Sequence, residues 1–102
     1  MNAVRIIGEP AALELLAEEA VELAHAALKL ARVLRGENPT PVSYLDAAAQ
    51  FVEELGDVRL CTRALEEYYG KLDTTETEQA KSRRWEARLQ AFMKEKEAQR
   101  IE

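Results

Sequence analysis

Apolar residues recur along this chain at steps of three and four, the spacing that gathers them on one side of an α-helix. From Ala11 to Leu34 nothing interrupts the pattern. Leu13, Leu16, Ala17, Ala20, Leu23, Ala24, Ala27, Leu30, Ala31 and Leu34 build one apolar face. Gly8-Glu9-Pro10 opens this first helix, and Pro10 suits a first-turn position because no N–H is needed there. Gly36 to Pro41 (GENPTP) has the composition of a connector. A second helix is expected over about 43–69, on the stripe Ala48, Phe51, Val52, Leu55, Val58, Thr62, Leu65 and Tyr69. Ser43 and Asp46 resemble a capping box at its start, and Gly70 is its expected stop.

After a short linker, Thr75 and Glu78 form another capping-box pattern, followed by a third helix over about 76–97. Trp85, Leu89, Phe92 and Met93 make an apolar seam on this otherwise charged helix, and Trp85 reads as core or interface. Nothing reads as a strand; the Val4 to Ile7 run is too short and isolated for a sheet. The expected fold is all-α, a helical hairpin plus a third helix, in a single domain over residues 1–102. A chain this short buries a modest core. Long thin helices then call for a partner chain, giving a four-helix-type bundle in a homodimer or homotetramer.

Composition narrows the partners. Hydrophobic residues at 47% and charged residues at 32% mark a globular chain, not a disordered one. A net charge of −5 argues against binding nucleic acid polymers, although Lys81 to Arg88 is locally basic. The single cysteine, Cys61, excludes an intrachain disulfide and suits a reducing compartment. Met1 to Leu16 has no basic-then-apolar leader, and no stretch reaches the roughly 18 apolar residues of a membrane span. A soluble, cytoplasmic protein without membrane contact is expected.

Charge patterning adds candidate chemistry. Glu18, Glu19 and Glu22 lie in the middle of the first helix; Glu53, Glu54 and Asp57 lie in the middle of the second. Glu19 and Glu22 share a helix face, as do Glu54 and Asp57, and like charges so placed repel by roughly a few tenths of a kcal/mol. Glu19 projects beside Leu15, Leu23 and Ala26, and Glu54 between Phe51 and Val58, at the edges of the apolar stripes. Partly buried carboxylates need a raised pKa, a basic partner or a metal. One such cluster alone is usually a solvated face, since Glu is a strong helix former. Two together, on helices that a connector can fold against each other, point to a hard cation with oxygen ligands.

The blocks Ala17-Glu18-Glu19-Ala20-Val21-Glu22-Leu23 and Glu53-Glu54-Leu55-Gly56-Asp57-Val58 resemble the EExxE…ExxD signature of the all-α nucleoside triphosphate pyrophosphohydrolases, the MazG-like group. The resemblance covers roughly residues 8–90. The gap between the blocks is long for that group, and Ala12 stands where many relatives carry Gln. The resemblance implies Glu19, Glu22, Glu54 and Asp57 as ligands of magnesium, with manganese able to replace it. It implies Glu18 as an auxiliary catalytic acid, near the metals or orienting a water. The implied reaction is attack of water on the α-phosphorus of a nucleoside or deoxynucleoside triphosphate. The products would be the monophosphate and pyrophosphate, for nucleotide-pool control or house-cleaning. Lys81 and Arg84, three apart on one face, are the preferred phosphate contacts, although Glu78 and Glu86 offer them surface ion pairs. Tyr68 and Tyr69 either pack or stack on a base, and His25 reads as a surface group one turn past Glu22. Two alternatives stand beside this reading. One is a phosphoribosyl-ATP pyrophosphohydrolase of histidine biosynthesis, which has a similar acidic pattern. The other is a non-enzymatic helical oligomerisation or interaction module with its acids solvated.

Overall fold

Every regular element among the described residues is a helix. The computed structural model describes residues 2–36 and 41–101, which form α1 (Ala3–Ile7), α2 (Glu9–Arg35), α3 (Tyr44–Tyr69) and α4 (Thr75–Ile101). The all-α expectation holds, with one helix more than the apolar pattern predicts. The extra helix, α1, is the Val4 to Ile7 run. The Asn2 side chain accepts the Arg5 amide at 3.2 Å and caps it. Gly8 then serves two helices: its N–H bonds to Val4 O at 2.7 Å, and its carbonyl receives the Ala12 amide at 3.1 Å. It does so at φ 92°, a region that only glycine enters without strain.

α2 and α3 pack along their length as an antiparallel pair. Val4, Ala12 and Leu65 form a buried cluster at one end, with Leu16, Ala64 and Tyr68 packed on it. The steps 12, 16, 19, 23, 26, 30 and 33 of α2 are all buried or half-buried, as are the steps 47, 51, 54, 58, 61, 65 and 68 of α3. These are alternating three- and four-residue steps, the seam of two helices in register. The expected apolar faces are therefore only partly the packed ones. Leu13, Ala17, Ala20, Ala24 and Leu34 of α2 are exposed, and so are Val52 and Tyr69 of α3. The fully buried apolar residues are Val4, Ala12, Ala26, Ala47 and Leu65. Most of these are alanines, which lets the helix backbones approach closely but removes little apolar area from water.

Helix ends follow local chemistry. Gly36, at φ 66°, terminates α2 with its N–H on Arg32 O. The expected connector falls largely on residues 37–40, outside the described residues. Ser43 caps α3, its hydroxyl accepting the Asp46 amide at 3.2 Å. Gly70 ends α3, with its N–H on Glu66 O at 2.8 Å.

The chain divides into two units, the first holding α1 to α3 and the second beginning at Leu72. In the second unit the expected Thr75–Glu78 box is not formed, because other acceptors take both of its amides. Thr74 O receives the Glu78 amide, and the Thr74 hydroxyl donates to the Glu78 carboxylate. Asp73 accepts the Thr75 amide at 3.0 Å, which turns the chain and starts the helix one residue early. Among the described side chains of α4 only Ala80 is less than exposed. Within this unit Trp85 is 66% exposed and packs into no core. No described helix is long and apolar enough to cross a membrane.

Candidate metal centre

The antiparallel pairing brings the middle of α2 against the middle of α3, where both acidic blocks lie. One carboxylate oxygen from each of Glu19, Glu22 and Glu54 falls within 4.8 Å of the other two. Glu22 is exposed, while Glu19 and Glu54 are half-buried seam residues. Glu19 Oε2 and Glu54 Oε2 are shielded from solvent and have no hydrogen-bond partner. A shielded oxygen without a donor is costly, and here two face the same place.

Electrostatics report the same strain. Burial pushes the Glu19 carboxyl above its ordinary value, and the charges of Glu22, Asp57 and Glu18 push it further the same way. Burial likewise raises Glu54, with Glu22, Asp57 and Glu19 adding to it. A side-chain hydrogen bond with Glu22 acts in the same direction on both. No basic side chain offsets these terms on either group. Of the three remedies for a buried carboxylate, the chain supplies a raised pKa and leaves a cation as the other.

The donor set fits such a cation. All three ligands are hard oxygens, the choice of Mg²⁺ and Ca²⁺. Glu19, Glu22 and Glu54 would hold such an ion, their side chains rotating inward from the spacing that mutual repulsion sets. Asp57, one turn along α3 from Glu54, is half-buried and acts on both Glu19 and Glu54 through its charge, but is not part of the tight group of three. Glu18 is exposed beside Glu19 and is the weakest of the charged influences on it.

Other candidates lie elsewhere. Lys81 and Arg84 belong to the second unit, where they line a shallow groove of α4 with Glu78, Ser82, Trp85 and Arg88. The ion pairs that Glu78 and Glu86 could offer them are not formed. His25 is exposed and outside the acidic group. Cys61 is half-buried in the seam; burial raises its thiol pKa first, and the Glu19 and Asp57 charges raise it further.

One cluster was not foreseen from the sequence. Tyr68 and Tyr69 donate to the two carboxylate oxygens of Glu9, at 2.6 and 3.0 Å, and stand edge-to-face at 5.1 Å. The tyrosines therefore clamp the start of α2 to the end of α3. The signal was the antiparallel register itself: pairing Ala12 with Leu65 also puts residue 9 beside 68.

Comparison of the chain with family models, with curated proteins and with solved structures finds no match.

Proposed function

We propose that this chain is a Mg²⁺-dependent nucleoside triphosphate pyrophosphohydrolase of MazG-like type. The observation that carries the reading is the meeting of Glu19, Glu22 and Glu54, with two shielded carboxylate oxygens left without partners. A solvated acidic face would leave those oxygens in water with ordinary pKa values. Glu19, Glu22 and Glu54 would hold the cation, with Asp57, one turn along α3 from Glu54, as the fourth carboxylate of the site. Magnesium supplies the positive charge that lets a triphosphate approach the acids, and it acidifies water at neutral pH.

The residues of the chain do the rest. Glu18 lies beside the group and exposed, placed to orient the attacking water and take its proton. The water oxygen bonds to the α-phosphorus, the bond from that phosphorus to the β-phosphate bridging oxygen breaks, and pyrophosphate leaves. Arg84, on α4, is the phosphate contact of this reading, since its fork can donate two parallel hydrogen bonds. The bare apolar row Leu13, Ala17, Ala20 and Ala24 supports assembly with a second copy.

The test is incubation of pure protein with Mg²⁺ and a panel of canonical and modified triphosphates together with phosphoribosyl-ATP, with products read by phosphorus NMR. Monophosphate and pyrophosphate are expected. Turnover of phosphoribosyl-ATP alone moves the assignment to histidine biosynthesis. Diphosphate and orthophosphate contradict attack at the α-phosphorus, and no turnover of anything contradicts the enzyme and favours the interaction-module reading.

A further inference from the structure

Within the second unit, α4 bares a row of large apolar side chains. Trp85, Leu89, Phe92 and Met93 are 66%, 47%, 54% and 68% exposed. Four large apolar side chains bare within nine positions mark an interaction surface.

The row of every fourth residue is Lys81, Trp85, Leu89, Met93 and Glu97, one of the ridges by which helices pack. It is symmetric about Leu89 in size and antisymmetric in charge. Trp85 and Met93 stand four residues either side, and Lys81 and Glu97 eight residues either side. Glu78 and Arg100, and Arg83 and Glu95, are further equidistant pairs of opposite charge. Arg84 and Lys94, and the outermost Glu76 and Glu102, are alike. Among the described residues neither Lys81 nor Glu97 has an ion-pair partner within the chain, and the Glu78 carboxylate is held by Thr74.

We infer that α4 pairs with α4 of a second copy, antiparallel, about a two-fold axis beside Leu89. Trp85 packs on the partner's Met93, and Lys81 meets the partner's Glu97 at each end of the ridge. The charges select this occupant and this direction. A parallel pair would set Lys81 against Lys81 and Glu97 against Glu97, whereas the antiparallel pair sets unlike charges together at both ends. Phe92 flanks the ridge, with the Lys96 ammonium 5.4 Å from its ring centre. Lys81 closes the ridge in this pair, which leaves Arg84, off the ridge, as the cation that faces an anion.

Cross-linking tests this without reference to activity or to any other interface. In full-length protein with Cys61→Ser, Leu89→Cys under mild oxidant should give a covalent dimer. Ala87→Cys, roughly 160° around the helix, should not. Adding Lys81→Glu to Leu89→Cys should slow cross-linking roughly tenfold, and adding Glu97→Lys as well should restore it. Circular dichroism on each variant confirms that the helices persist. Cross-linking at position 89 no faster than at 87, or a double charge swap no better than Lys81→Glu alone, overturns the pairing.

Discussion

Glu19 and Glu54 were recognisable from sequence as acids out of place, because a three-residue step to a second acid is visible in the letters. Their depth was not. Counting apolar residues puts them at the margin of a stripe, yet the seam of α2 and α3 runs through both. Ala12, Ala26 and Ala47 decide which faces meet, since small side chains permit close approach, and hydrophobicity alone does not rank them above leucine. The consequence is testable through pH. Both carboxyls are raised in the folded protein, so the folded state binds more protons than the unfolded chain above pH 4.5. Metal-free protein should therefore lose stability as pH rises from 4.5 through the raised values, and Glu54→Gln should flatten that loss. Glu9 behaves oppositely. Its bonds from Tyr68 and then Tyr69 lower its pKa, so its contribution is present above 4.5 and lost as pH falls below it. Melting temperature against pH separates the two, because Glu9→Gln alters only the acid limb.

Helix boundaries were legible wherever a single side chain does the work. Ser43 and Gly70 act as their types predict, and Ser43→Ala should cost about 1 kcal/mol in urea unfolding. The start of α4 was misplaced because Asp73 and Thr74 compete successfully for the same backbone amides. Thr74→Ala should therefore reduce helicity by circular dichroism, while Thr75→Ala should leave it nearly unchanged. The short α1 escaped notice because five residues carry no period; its place depends on Val4 meeting Ala12 and Leu65. Gly8→Ala should destabilise this corner by roughly 1 kcal/mol or more through backbone strain alone, since the nearest atom to an added Cβ, Pro10 Cδ, is 3.9 Å away.

The molecule as a whole has little core to spare. Leu65 is the largest side chain in the buried cluster with Val4 and Ala12, and Leu65→Ala should cost about 2–5 kcal/mol, a large share of a small domain's stability. Ala12 is 6% exposed in the cluster with Val4 and Leu65, and a longer side chain there meets a filled space. That the long helices are apolar on more than one flank was readable from the letters. Which rows stay bare was not, because it depends on how α2 and α3 pair.

The proposed metal centre makes one claim that needs no substrate. Calorimetric titration of Mg²⁺ into the intact protein at neutral pH should show saturable binding. Glu54→Gln should abolish that binding while its metal-free melting temperature stays equal to or above that of the parent chain, the repulsion having been relieved. No heat of binding in the parent protein, or equal binding in Glu54→Gln, would contradict the account.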